Sequence, residues 1–263
     1  MQKRQFDRQQ YFNELATTSR KYFVPYIQQF KAISPKTNVI EIGCGDGGNL
    51  LPFSVMGCRV VGCDMATCRI DDAQRFFAAE HAKGEFIASD VFLLKDLEHQ
   101  FDIVICHDVI EHIYDKVEFM NKCKSLLKND GIIFMSFPAW QMPFGGHQQI
   151  CRNRILSHLP FFHLLPTRFY KTILRWGNEK SECIQELLNI KQTKCPIETF
   201  ENCIQKSRFH VVDMTPWFIN PHYEVKFGLK PRRLNGFISR LPIIKNFFTT
   251  SSFYILSIDS SNR

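Results

Sequence analysis

The chain has 263 residues, of which 44% are hydrophobic and 22% charged, with a formal net charge of +7. These values are ordinary for a globular protein, and no apolar stretch approaches the roughly 20 residues that a membrane-spanning helix needs. The length suffices for one well-buried core carrying a sizeable elaboration.

Residues 1–22 read as an amphipathic helix, with Phe6, Tyr11, Phe12, Leu15 and Tyr22 as its apolar members. The opening residues are polar and charged and carry no signal-peptide pattern, so the chain reads as cytoplasmic, with attachment to a membrane surface left open. Next comes a short apolar run, residues 38–42, ending at Gly43-Cys44-Gly45-Asp46-Gly47-Gly48. Backbone NH groups in such a loop can lie against a ligand without Cβ interference. A second apolar run, Val60-Val61-Gly62-Cys63, ends in Asp64, where a carboxylate can accept hydrogen bonds from two ribose hydroxyls. The pairing implies a nucleoside-bearing cofactor. Dinucleotide sites want Gly-x-Gly-x-x-Gly and room for a pyrophosphate on a helix N-terminus. Here Glu41 and Asp46 flank the loop; their charges repel a pyrophosphate and suit the ammonium and sulfonium of S-adenosylmethionine (SAM). An NAD-binding domain, or a module that no longer binds SAM, is the alternative.

Helical segments at 47–56, 68–81 and 115–127 alternate with apolar runs at 86–91, 101–108 and 132–135. Such alternation predicts a parallel sheet with right-handed crossovers, helices on both faces and a ligand at the carboxyl ends of the strands. After Pro138 the pattern breaks. Residues 140–195, punctuated by Pro143, Pro160 and Pro166, read as an inserted cap of short helices. A helix at 197–207 and a strand at 210–218 follow, then a second insertion at 220–252 and a final strand at 253–259. The expected organisation is a helical cover (1–35), a cofactor-binding core (36–139), the cap (140–195) and the end of the core (196–263) with its own insertion. The ten cysteines are scattered without a Cys-x-x-Cys pair, and read as small buried hydrophobes in a reducing compartment rather than a disulfide frame or zinc site.

Five segments in order over about residues 36–139 resemble the class I SAM-dependent methyltransferases: 39–47, 60–65, Phe86-Ile87-Ala88-Ser89-Asp90-Val91, 101–108, and the turn Asn129-Asp130-Gly131 with the run after it. The resemblance implies a Rossmann-like α/β fold, a doubly wound seven-stranded sheet whose last strand inserts antiparallel between the fifth and sixth, with helical cap insertions. It implies cofactor contacts from Glu41, Gly43, Cys44, Gly45, Asp64 at the ribose, Met65, Asp90 at the adenine amino group, Val91 and His107, under an N-terminal cover.

Methyl transfer to a hydroxyl needs the acceptor's proton removed or its pKa lowered, by a base or a metal. If a helical turn begins at Asp108, then Asp108, Glu111 and His112 share one face at i, i+3 and i+4. Two carboxylates and an imidazole there can ligate a divalent cation of the Mg or Zn type. The cluster resembles the acid-x-x-Glu-His motif of metal-dependent O-methyltransferases of the ubiquinone pathway and of small-RNA 2′-O-methyltransferases, in which a later histidine completes the site. His147 is the candidate for that position, and Asp108 stands where a glutamate is usual. A Glu-His pair without metal can equally order the loop. His112 and His147 are the candidate catalytic residues. An unperturbed imidazole titrates near pH 6.5, and His147 follows two glycines that could let its loop close.

Residues 1–139 carry a net charge of −2 and the remainder +9, so the elements expected to meet the acceptor are basic and suit an anionic one. The apolar stretches 159–165 and 241–248 lie near basic residues; they suit a bilayer surface, a lipid-like pocket, or packing of cap on core. The expected function is a SAM-dependent methyltransferase acting on oxygen of a small-molecule, lipid-linked or glycan-type acceptor. Methylation of RNA and a non-catalytic SAM-binding subunit are the alternatives, nucleic acid being disfavoured because no RNA-binding module is appended.

Overall fold

Eight strands join in a single sheet: β1 Asn38–Ile42, β2 Arg59–Asp64, β3 Glu85–Ala88, β4 Phe101–His107, β5 Leu127–Phe137, β6 Phe209–Ile219, β7 Arg232–Arg233 and β8 Ser251–Ile258. They are seen in a computed structural model that describes residues 7–258; Phe6 and Asp259, assigned above to the first helix and last strand, lie outside the described residues. The order across the sheet is β3-β2-β1-β4-β5-β8-β6-β7. The first five strands pair in parallel, and β8 lies antiparallel between β5 and β6, as the resemblance implied. β7 is a two-residue addition on the edge, one strand more than the seven expected, and pairs with Trp217 and Ile219.

The middles of the central strands are largely apolar because helices cover both faces. Val39, Ile40, Ile103, Val104, Ile105, Ile133 and Phe134 are fully buried. β5 begins earlier than the Asn129-Asp130-Gly131 turn suggested. Phe101 pairs with Leu127 and Ile103 with Ile132, so residues 128–131 bulge out within the strand. Lys128 and the backbone NH of Asn38 both bond to Asp102 there, each at 2.8 Å.

The helices are α1 Arg8–Thr18, α2 Val24–Ile27, α3 Leu51–Val55, α4 Thr67–Ala79, α5 Lys116–Leu126, α6 Arg154–His158, α7 Thr167–Trp176, α8 Ser181–Thr193, α9 Ile197–Lys206, α10 His222–Phe227, α11 Gly236–Ser239 and α12 Ile244–Phe248. The N-terminal helix departs from a single amphipathic rod: a π turn, Ser19–Phe23, joins α1 to α2. Pro25 supplies no NH to the carbonyl of Lys21, and the wider turn absorbs that gap. Phe23 then buries completely among Phe134, Phe253 and His107, with ring centroids 5.0–5.5 Å apart. The amphipathic α4 buries Ile70, Ala73, Phe76 and Phe77, and Phe76 meets Phe12 of α1 at 5.0 Å. α6, α7 and α8 gather a small core of their own from Cys151, Leu156, Phe162, Tyr170, Leu174, Ile184 and Leu187. No helix among the described residues is long and apolar enough to cross a membrane.

Candidate active site

The sheet reverses its winding between β1 and β4, and the predicted cofactor residues collect at the carboxyl ends of these strands and of β2 and β3. After β1 the chain folds back, with the NH groups of Gly43 and Cys44 donating to Cys63 O at 2.8 and 3.0 Å. Gly45 has φ +51 and open space where a Cβ would stand, and its NH donates to Asp64 Oδ2 at 2.9 Å. Asp64 Oδ1 accepts from Ala66 N at 2.9 Å, so the carboxylate is fixed at the strand end. Asp90 accepts from Phe92 N at 3.0 Å and starts a short helical turn at Val91, which is buried. Met65 is 76% exposed on the same edge, and Cys44 is buried, its thiol pushed up by that burial.

The charge argument from the sequence needs correction at both acids. Asp46 has no exposed surface; it pairs with Arg8 of α1 and with Arg69 of α4 at 3.0 Å. Its charge is spent on tying two helices to the loop instead of facing a ligand. Glu41 accepts from Asn49 Nδ2 at 2.7 Å while its Oε2 has no hydrogen-bond partner. Burial pushes its pKa up to about 8, so in the cofactor-free protein it is largely protonated at neutral pH.

Beyond β4 the backbone differs from the helical face predicted for Asp108, Glu111 and His112. Asp108 has φ +54, and the turn that follows is a tight 3₁₀ turn over Ile110–His112. The Asp108 carboxylate accordingly sits 3.5 Å from His107 Nε2 instead of stacking over Glu111. His107 is held on its other side by Ser136 Oγ at 2.5 Å. Glu111, His112 and His147 do converge, their ligand-capable atoms all lying within 4.8 Å of one another. His147 Nε2 is 3.8 Å from Glu111 Oε1, and the two imidazole rings meet edge to face at 5.0 Å.

Glu111 is 3% exposed, and neither of its oxygens has a hydrogen-bond partner. Burial, helped by the nearby Asp108 carboxylate, raises its pKa well above the ordinary value. Desolvation lowers His112, although part of its surface is open, and lowers His147 to about 3, the latter helped by the neighbouring His112 and His163. His147 is therefore a weak base in the cofactor-free protein, contrary to the expectation drawn from a free imidazole, but its neutral nitrogens are fit to ligate a cation. Three donors, one of them a buried carboxylate without partners, fit a divalent ion.

The loop carrying His147 is braced rather than loose. A Cβ on Gly145 would fall 2.3 Å from Trp140 O, and one on Gly146 2.2 Å from the His163 side chain, so these glycines serve close packing. Fully buried Gln148 donates to the carbonyls of Pro143 and Leu159 at 2.9 and 3.2 Å, and His163 Nε2 bonds Trp140 O at 2.8 Å. Thr193, at the end of α8, donates to Glu111 O at 2.6 Å, and Lys116 bridges Ile113 O and Thr193 O. Asn49, Ser136, Thr193 and Gln148 were not singled out from the sequence. Gln148 and Asn49 had a local signal, their adjacency to His147 and to the glycine loop; the others reach the site through pairings fixed by the fold.

A model of the methyltransferase-domain family matches residues 33–186, reaching from before β1 into α8. Among curated proteins the chain is similar to a ubiquinone biosynthesis O-methyltransferase of Histophilus somni (strain 2336), 28% identical over 142 residues that make up 48% of this chain and 58% of that one. It is similar also to a protein of the same description from Bartonella tribocorum, 29% identical over 119 residues, 43% of this chain and 48% of the other. The chain thus spans about half the length of the curated relatives it matches. Among solved structures, magnesium protoporphyrin IX methyltransferase from Synechocystis PCC 6803 with bound SAH superposes with a TM-score of 0.54 at 14% identity, covering 93% of this chain and 81% of that one. An S-adenosylmethionine-dependent methyltransferase from Clostridium acetobutylicum ATCC 824 gives 0.57 at 9% identity, covering 92% and 91%. At such identities the likeness is one of fold.

Proposed function

The chain belongs to the methyltransferase-domain family, whose cofactor is SAM, and on that premise we propose that it transfers the methyl group of SAM to an oxygen of a small-molecule acceptor. The observation that carries the oxygen assignment is the buried, unpartnered Glu111 carboxyl flanked by His112 and His147. A nitrogen or thiol acceptor needs less help, whereas a hydroxyl holds its proton far more tightly and must lose it. Glu111, His112 and His147 would hold a divalent cation, with Asp108 beside them. Such an ion supplies a Lewis acid that lowers the pKa of an acceptor hydroxyl.

In this reading Asp64 takes the ribose hydroxyls and Asp90 the adenine amino group, with Met65 and Val91 along the base. The glycine loop and Glu41 face the methionine portion, and His107 lies beside it. The Glu41 Oε2 without a partner and the open space at Gly45 support that direction of approach. Proximity and alignment of acceptor and sulfonium then account for most of the acceleration.

The acceptor we favour is apolar or lipid-linked and anionic. Two apolar stretches far apart in sequence meet at Phe161 and Phe247, 6.2 Å apart, and Ile243 stands 62% exposed beside them. Arg232, Arg233 and Arg240 are exposed on the same insertion. Phe161 N donates to Pro143 O at 2.7 Å, which joins this patch to the His147 loop.

The test is transfer of labelled methyl from SAM to a panel of phenols, catechols and their prenylated forms, with and without a chelator. Chelator-sensitive label on oxygen supports the reading. Label on nitrogen, or no label on any hydroxyl while SAH still binds, rejects the oxygen assignment.

A further inference from the structure

A second cluster of metal-ligating side chains lies in the cap, away from Glu111. Cys151, Glu179 and Cys183 each bring a ligand-capable atom within 4.8 Å of the other two. Cys151 is fully buried at the end of the loop that follows His147, Glu179 is 8% exposed just before α8, and Cys183 lies half-buried in its first turn. We propose that these three residues form a structural zinc site that staples the His147 loop to α8.

The donor chemistry is that of zinc: two soft thiols and a carboxylate, three of the four positions of a tetrahedron. Glu179 is oriented as a ligand should be. Its two oxygens accept from Arg152 N at 3.0 Å and Asn153 N at 2.8 Å, which fixes the carboxylate plane within reach of both sulfurs. Its partners are these two backbone NH groups and the Cys183 thiol. The Cys183 thiol bonds to Glu179 and Cys151, and burial raises both thiols, so they are protonated without metal. Entry of Zn²⁺ releases two thiol protons to solvent and leaves the zinc–dithiolate–carboxylate unit with a net charge of −1.

Cys183 lies on the wall of a surface cavity of about 420 Å³, lined by Glu182 and Glu186 together with Arg8, Arg69, Arg152 and Lys180. Glu186, one turn along α8 and acting on the Cys183 thiol, or a water fills the fourth position. The consequence reaches the other site. Cys151 is four residues beyond His147, and α8 runs from Cys183 to Thr193, which holds the Glu111 carbonyl. A metal at the start of α8 fixes both ends of the Glu111–His147 pair through one rigid element.

The whole chain, purified under a phosphine reductant and stripped of metal, is to be titrated with Co²⁺ and then Zn²⁺. Wild-type protein and His147→Ala are expected to show a thiolate-to-cobalt charge-transfer band, displaced by one equivalent of Zn²⁺, with two thiols becoming protected from a disulfide reagent. Cys183→Ser, at a half-exposed position, should lose the band and weaken Zn²⁺ binding at least about 100-fold, and Glu179→Gln should weaken it about 10-fold or more. Absence of the band in wild-type protein, or its survival at full intensity in Cys183→Ser, overturns the proposal. Because His147→Ala retains the band, failure here is distinguishable from failure of the Glu111 site.

Discussion

His147 Nε2 stands 3.8 Å from Glu111 Oε1, and neither Glu111 oxygen has a hydrogen-bond partner. Burial raises the pKa of the carboxyl and lowers that of the imidazole, so both shifts favour the uncharged forms. A divalent cation would reverse this at Glu111, since a ligating carboxylate is ionised. Glu111→Gln mimics the protonated acid in shape and denies the site its anion. It is expected to leave the metal-free protein within about 1 kcal/mol of wild type in urea unfolding, yet to weaken Mn²⁺ binding by calorimetry at least about 10-fold. Equal Mn²⁺ affinity in the two proteins would remove the cation from this site.

The same burial writes a pH dependence into the fold. An unfolded glutamate titrates near 4.5, whereas Glu41 titrates at about 8 and Glu111 is raised strongly. As pH rises past 4.5 the unfolded chain sheds protons that the folded chain keeps, so these carboxyls make stability fall up to about pH 8. The lowered histidines act oppositely, since the unfolded state binds their protons below 6.5, and they add little slope above it. Between about pH 6.5 and 8 the cofactor-free protein should lose stability, by up to about 1.4 kcal/mol per pH unit for each proton retained. Urea unfolding across that window checks the sign, and Glu41→Gln should flatten the slope.

Cofactor and acceptor sides are separable by mutation. Asp64→Ala removes an acceptor at the proposed ribose position and should weaken SAH binding about 10- to 100-fold, the worth of a charged hydrogen bond. His147→Ala, in the loop after β5 and beside Glu111, should hold SAH affinity within about twofold while depressing turnover. A similar loss of SAH affinity in both, read by calorimetry, would move His147 to the cofactor side.

How much of this was legible in the sequence depends on the range of the forces involved. β1, β2 and β4 announce themselves as apolar runs because each is buried on both faces, and the antiparallel β8 followed from family resemblance. Glu111 and His112 could be paired before any coordinates because they sit in one short turn, and His147 was joined to them by the resemblance to metal-dependent O-methyltransferases. Asp108 could not be placed, since a positive φ at a single aspartate undoes the i, i+3, i+4 face that its spacing suggests. The cap cysteines were read as packing alone because Cys151 and Cys183 are 32 positions apart, and what joins them is the fold of α6, α7 and α8. The role of Asp46 was misjudged for the same reason: its partners Arg8 and Arg69 lie on helices that only tertiary packing brings to the loop.

That last relationship gives an energetic prediction. Asp46 is fully buried between Arg8 and Arg69, and Arg8 is a charged link between α1 and the glycine loop, beside the packing of Phe12 and Leu15 on Gly48. Burial raises the Asp46 carboxyl to about 6 even with Arg8 pulling it down, so the pair opposes a real desolvation cost. Removing Arg8 leaves that cost to Arg69 alone, whereas Asp46→Asn removes the charge that needed compensation. Arg8→Ala is therefore expected to destabilise by about 1–3 kcal/mol in the wild-type background. In the Asp46→Asn background it should cost clearly less, a coupling of about 0.5 kcal/mol or more in a double-mutant cycle. Strict additivity would mean that α1 is held over the loop by Phe12 and Leu15 packing, and that the ion pair contributes nothing to the tether.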